Sequence, residues 1–270
     1  MNNKISAWIK LRKQPQVLNS IKQPVIWLHA SSGEIEFVKS YIRDLKKMKP
    51  EYSIVVSYSS PSAQKLFDNI KPYVDQFFPL PWDQPQAIRK VLAHYNPTAI
   101  YFARTDLWPE FLYQLKVSRV KSYIVSYNPH LGFFNKLWIK LFLKNFTGLF
   151  CLNEIQEAAL KEILPTGVKI LAAGDTRYDQ VFWRLQQPSK IPFQIPEPYF
   201  VFGSTWKEDE DIFVPLFAEF KKLGIKIVWC PHEIDNSNMD RIEKVLSTEK
   251  IDYQKVFHAD NSRHRFNSFR

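Results

Sequence analysis

With 270 residues, 45% of them hydrophobic and 15% aromatic, the chain has material for one large or two ordinary domains with a real core. A formal net charge of +10 implies an anionic partner: nucleic acid, an acidic membrane surface or a phosphorylated substrate. The two cysteines, Cys151 and Cys230, sit in apolar strand-like runs, which excludes a disulfide framework and implies buried thiols in a reducing compartment.

Residues 1–24 are basic and polar, with Lys4, Lys10, Arg12 and Lys13 around Trp8 and Ile9. They read as a short interfacial helix or a solvated lead-in. No signal peptide is expected, because an uninterrupted apolar core is missing. Nor is any stretch long and apolar enough to span a bilayer. Residues 25–36, VIWLHASSGEIE, run from β-branched and aromatic residues through Ser31, Ser32 and Gly33 into helix-compatible residues. That pattern is a strand, a tight turn and a helix start. Hydroxyls and backbone N–H groups at a helix N-terminus suit an anion, and the carboxylate of Glu34 lies in the same turn. Ser31-x-x-Glu34 also fits a capping box, in which both side chains only satisfy free helix N–H groups.

A helix is expected over 35–47, a strand over 53–59 and a second helix from Pro61, which is allowed at a first helical position. An extended piece at 74–80, a helix at 84–94 and a strand at 98–103 follow, the last leading into Arg104-Thr105-Asp106. There Arg104 would position an anionic acceptor with Asp106 as partner or base; alternatively Asp106 only complements a helix dipole. Strands at 121–127, 149–152 and 168–173, with a helix at 153–164, complete a parallel, doubly wound pattern. The segment 131–146 is aromatic-rich, with Lys136, Lys140 and Lys144 as one basic stripe. It reads either as an interfacial helix on an anionic membrane or as a buried helix with a solvated edge.

Arg177, in the loop after 168–173, would hold a phosphate or carboxylate. A proline-rich passage at 188–198 marks a domain boundary. Beyond it come a strand at 199–202, a Gly203-Ser204-Thr205 turn, a helix at 208–223, a strand at 225–230, a turn bearing His232 and a helix at 236–248. Ser204 and Thr205 stand at a helix start, as phosphate ligands do, though without the lysine and glycines of a P-loop. The tail at 259–270 carries no pattern. No Cys/His cluster has zinc spacing.

In this order, WLHASSGEIE, RTDLWPEF, AAGDTRYDQV, FGSTWKEDED and CPHEID resemble the bacterial Kdo transferase family, the 3-deoxy-D-manno-octulosonic-acid transferases of lipopolysaccharide synthesis. The resemblance covers roughly residues 22–250. It implies an α/β, GT-B-like fold of two Rossmann-like, doubly wound domains: an acceptor-binding domain at 1–190 and a partial nucleotide-sugar domain at 191–270. It implies an inverting transfer of Kdo from CMP-Kdo to lipid IVA, without a metal or other cofactor. The location implied is the cytoplasmic face of the inner membrane, as a peripheral protein on an anionic surface. Glu34 takes the role of general base, with Ser31, Ser32, Gly33, Arg104 and Asp106 toward the acceptor. Arg177, Ser204, Thr205 and His232 take the donor. The resemblance favours the catalytic reading of Glu34 over the cap.

The chain departs from the family at four points. An apolar N-terminal anchor is not visible before Lys4. Arg104 stands where many members are acidic, and His232 follows Pro231 directly where many carry Pro-Arg-His. The later glycine-rich donor motif is absent, so a truncated second domain is expected, with a separate C-terminal half as a partner. The rivals are a GT-B transferase of another nucleotide sugar and a lipid A-precursor-binding fragment without turnover. Nucleic acid is set aside, because the basic residues are dispersed and no binding motif occurs.

Overall fold

The computed structural model describes residues 3–13, 18–188, 197–257 and 265–269. The chain forms two compact units, Met1–Gln187 and Pro188–Arg270. The division expected at 190/191 lies outside the described residues.

The first unit opens with helix α1 (Asn3–Lys13) and strand β1 (Val25–His29), followed by α2 (Glu36–Met48) and β2 (Ser53–Tyr58). Then come β3 (Gln76–Pro79), α3 (Pro85–Tyr95), β4 (Ala99–Ala103), α4 (Pro109–Ser118) and β5 (Lys121–Tyr127). The unit continues through α5 (Phe133–Phe142), β6 (Gly148–Cys151), α6 (Glu154–Ile163), β7 (Lys169–Ala172) and α7 (Arg177–Leu185). All neighbouring strands pair in parallel, in the order β3-β2-β1-β4-β5-β6-β7. Every residue of β1 and β2 is buried, as helices on both faces of a parallel sheet require. Trp27, Ile100, Phe102 and Phe111 pack on one face; Ile26, Leu28, Ile42 and Val56 pack on the other.

Strand order reverses between β1 and β4. Such a switch point opens a crevice at the carboxyl ends of the two strands. Those ends lead into the 30–36 turn and the 104–108 loop.

One expectation is corrected in this unit. After Pro61 there is no α-helix but two short 3-10 turns, Pro61–Leu66 and Lys71–Tyr73; Pro72 lacks the N–H that a continuous helix would need. The 131–146 segment is buried only in part: Ile139, Leu143 and Phe146 belong to the core. Within α5 only Ile139 is buried, while Phe133 and Phe134 are 79% and 82% exposed and Leu137 and Leu141 about half exposed.

The second unit contains β8 (Tyr199–Thr205), α8 (Lys207–Phe213), α9 (Phe217–Lys222), β9 (Lys226–Pro231), α10 (Asn236–Thr248), β10 (Tyr253–Phe257) and β11 (Arg265–Phe269). The helix expected over 208–223 breaks into α8 and α9 around Pro215, again a residue without an N–H. Phe213, Phe217, Trp229, Ile242 and Leu246 form its core. The sheet order is β10-β11-β9-β8, and only β8 and β9 are parallel. Strand β11, within the tail that showed no pattern, runs antiparallel to both β10 and β9. Its connection from β10 is too short for the crossover that a parallel partner needs.

Candidate functional site

The crevice between β1 and β4 holds an open depression of about 660 Å³, lined by the 31–37 turn, by Arg104, Thr105 and Asp106, and by Arg177. The turn is not a capping box. Ser31 makes no side-chain cap; its backbone oxygen accepts from the Glu34 N–H at 2.9 Å, and its hydroxyl lies 2.5 Å from that of Ser59. Ser32 turns the chain with a left-handed φ of 50°, and its hydroxyl lies 3.0 Å from that of Ser62.

Glu34 is held from one side only. Thr105 donates its hydroxyl to Oε1 at 2.9 Å, and Oε2 is buried without a hydrogen-bond partner. Burial pushes the Glu34 carboxyl above its ordinary range and the charge of Asp106 adds to this; the Thr105 hydrogen bond, His29 and Arg104 offset it only in part.

Asp106 is the opposite case. Its Oδ2 accepts from His29 Nε2 at 3.0 Å and from the Ser59 hydroxyl, and its Oδ1 accepts from the Trp108 indole at 2.9 Å. Burial pulls this carboxyl upward. The hydrogen bond and charge of His29, with the bonds from Ser59 and Trp108, outweigh burial and hold it at about 2. His29 is fully buried, and its Nδ1 lies 2.7 Å from the Ser57 hydroxyl. That hydroxyl also accepts from the donor-only indole of Trp27 at 2.8 Å.

Arg104 has a left-handed φ of 52°, a conformation that costs a residue with a Cβ about 1–2 kcal/mol. It sends the guanidinium over the Phe37 ring, 5.0 Å from its centroid, with Nε buried and unpartnered. Arg177 covers the same ring at 4.7 Å. Asp175 grips Arg177 through Nε and Nη2 at 2.7–3.1 Å. Arg177, expected on the donor side, therefore lies in the first unit beside Glu34. Its helix is pinned to α2, since Thr176 donates its hydroxyl to the Phe37 carbonyl at 2.5 Å.

In the second unit the Ser204 hydroxyl lies 2.7 Å from His232 Nδ1, and the Trp206 ring stacks on His232 at 4.3 Å. Ser204 also has a left-handed φ, 59°. The Thr205 hydroxyl is turned inward: it accepts from Trp229 Nε1 at 2.8 Å and donates to Glu210 at 3.2 Å. That leaves Ser204, the half-exposed Trp206 and, from the turn after β9, His232 as the side chains presented here.

His29, Ser57, Ser59, Thr105 and Trp108 were not singled out by sequence. A histidine ending an otherwise apolar strand is the one signal that could have been read. Its pairing with Ser57 depends on the β1–β2 register, His29 against Ser57. Among the described residues, no group of three or more His, Cys, Asp or Glu side chains is arranged to hold a metal ion.

The depressed Asp106 pKa sets the sign of a pH effect. The ionised carboxylate contributes stability above its unfolded pKa, and that contribution is lost as pH falls through the folded value of about 2. Asp106→Asn should therefore lower stability by about 2 kcal/mol at neutral pH. In urea titrations the gap to the parent should close as the pH is lowered from about 4; a gap that stays constant down to the acid limit would refute this account.

A family model described as 3-deoxy-D-manno-octulosonic-acid transferase (kdotransferase) matches residues 7–180. The 3-deoxy-D-manno-octulosonic acid transferase of Rickettsia felis is 26% identical over 246 residues, 86% of this chain and 50% of its own length. That of Aquifex aeolicus is 23% identical over 217 residues, 79% and 56% respectively. The chain thus spans about half the length of the curated relatives it matches. Among solved structures, the UDP-GlcNAc 2-epimerase of Neisseria meningitidis bound to UDP-GlcNAc aligns with a TM-score of 0.58 at 15% identity, over 84% of this chain and 70% of that one. A putative UDP-N-acetylglucosamine 2-epimerase of Listeria monocytogenes aligns with a TM-score of 0.54 at 13% identity, over 84% and 66%. At such identities the likeness shows the α/β fold alone. With the family model matching well over half of its residues, the chain belongs to the 3-deoxy-D-manno-octulosonic-acid transferase family.

Proposed function

We propose that the chain takes part in transferring Kdo from CMP-Kdo to lipid IVA in lipopolysaccharide synthesis, and that its first unit binds the acceptor. The observation that carries the proposal is the state of Glu34. A carboxylate with one oxygen anchored by Thr105 and the other buried, unpartnered and raised in pKa is suited to take a proton. In this reading the acceptor hydroxyl gives its proton to the Glu34 carboxylate as its oxygen attacks the anomeric carbon of Kdo. CMP leaves from the opposite face, so the configuration inverts, with no metal ion. Ser31, Ser32, Gly33, Arg104 and Asp106 would line the acceptor. Ser204 and His232 would meet the donor phosphate, where hydrogen bonds stabilise the departing charge. Arg177, over the same Phe37 ring as Arg104, would then serve the acceptor as well.

Helix α5 supports a peripheral position on the anionic cytoplasmic face of the inner membrane. Phe133, Phe134, Leu137 and Leu141 are exposed together with Lys136, Lys140 and Lys144. Apolar side chains that enter the interface, flanked by cations that meet headgroups, are what such a surface binds. Among the described residues no helix is long and apolar enough to cross a membrane.

Glu34→Gln keeps the oxygen that Thr105 contacts and removes the base. In an assay with CMP-Kdo and lipid IVA, turnover should fall by about a hundredfold or more; equal turnover would overturn the assignment. The raised pKa means that the ionised form costs stability at neutral pH, and that this cost is relieved as pH falls through the folded pKa. The variant should therefore unfold at higher urea concentration at neutral pH, by a margin that narrows in acid. Reversing Lys136, Lys140 and Lys144 to Glu should weaken binding to anionic vesicles by roughly a hundredfold. Unchanged cosedimentation would rule α5 out as the contact.

A further inference from the structure

Arg12 is the second-last residue of α1 and only 5% exposed. Its guanidinium carbon lies 4.5 Å from the centroid of the Trp8 ring, 5.5 Å from that of Trp82 and 4.3 Å from that of Trp108. Trp8 and Trp82 themselves meet edge-on at 5.0 Å. Nη1 reaches the Pro81 carbonyl at 3.5 Å, while Nε and Nη2 are buried with no hydrogen-bond partner. Burial lowers the pKa of this cation, and the charges of Asp106 and Asp83 oppose that. An apolar side chain would fill such a space at lower cost, because a buried cation with unmet donors is penalised. What the cation gains is attraction to three indole faces.

The cage lies between the loop bearing Trp82 and the 104–108 loop, and the latter borders the depression. Asp83, next to Trp82, accepts from the N–H groups of Glu110 and Phe111, both at 2.9 Å, and so ties its loop to the first turn of α4. Trp108 immediately precedes α4, and its indole N–H donates to Asp106 Oδ1. An indole turns about two side-chain torsions, and the direction of its N–H follows the ring plane. The ring of Trp108 rests on Arg12.

We infer that Arg12 is a positioning residue for the Glu34 depression, fixing the plane of Trp108 and through its N–H the carboxylate of Asp106. Asp106 then has both oxygens tethered, one by Trp108 and the other by His29 and Ser59. The adjacent Thr105 is thereby held against Glu34. Helix α1, distant in sequence, becomes part of the site's support. The kinetic consequence rests on the proposed transfer reaction; the structural one does not.

The test uses the full chain, labelled with nitrogen-15, and compares Arg12→Met and Arg12→Lys with the parent. The indole N–H signal of Trp108, assigned by its loss in Trp108→Phe, should move toward the position of a free indole in Arg12→Met. The signal of Trp27, bonded to Ser57, should stay in place. Transfer to lipid IVA should fall about tenfold or more in kcat, with KM changed by less than about threefold, and Arg12→Lys should recover part of both the signal and the rate. A folded Arg12→Met in which the Trp108 signal does not move overturns the inference, whatever its activity. If the parent shows no transfer, the proposed reaction fails for this chain by itself, while the indole signal still decides the role of Arg12. If Arg12→Met does not fold, Trp8→Leu opens the cage from its other side and is read in the same way.

Discussion

The depression of the first unit depends on one largely buried carboxylate. Asp106 collects donors from three segments distant in sequence: His29 at the end of β1, Ser59 just after β2, and Trp108 before α4. Each donor needs a partner because each is wholly or largely buried, and an unmet buried donor costs more than a typical hydrogen bond contributes. The loop bearing Asp106 is thus fixed against the ends of two central strands. Its neighbours are fixed with it, Arg104 on Phe37 and Thr105 on Glu34. The left-handed backbone at Arg104 is where this arrangement costs conformational energy, and the Asp106 contacts over-determine it.

The same geometry separates two carboxyl groups that share one depression. Asp106 is surrounded by donors and is held ionised far into acid. Glu34 has one donor, faces the charge of Asp106 and is pushed the other way. Neighbouring titratable groups driven apart by their surroundings are a common mark of divided labour, one structural or electrostatic, the other able to exchange a proton. Sequence distance hides the division. Glu34 lies in the turn after β1 and Asp106 in the loop after β4, and they meet because strand order reverses between those two strands.

The parts of this fold legible in the sequence were those carried by local pattern. The alternation of apolar strands with helices gave the parallel sheet, and the Ser-Ser-Gly-Glu turn gave the place of Glu34. Arg104, Asp106 and Arg177 stood out as polar groups after strands, and they share the depression with Glu34. What the pattern could not give was register and direction. Nothing local pairs His29 with Ser57, turns the Thr205 hydroxyl inward or places Arg177 on the Phe37 ring. Pro215 broke a helix that the sequence pattern extends. The role of Arg12 was hidden for a different reason. A basic residue among basic residues reads as solvated, and only the convergence of three tryptophans shows otherwise.

The two units solve one local problem in related ways. In the first, the Trp27 indole donates to the Ser57 hydroxyl, which pairs with His29 on the neighbouring parallel strand. In the second, the Trp229 indole donates to Thr205, while the adjacent Ser204 pairs with His232 across the parallel β8–β9 pair. The first unit puts both tasks on one hydroxyl and buries the histidine completely, so His29 orients another group. The second divides the tasks between successive residues. Thr205 faces the core, and Ser204 and His232 face outward with Trp206 stacked beside them. An indole that saturates an inner hydroxyl therefore leads to two outcomes. Where the strand end is covered, the histidine becomes internal support; where it is open, the histidine and the outer hydroxyl remain able to meet a ligand.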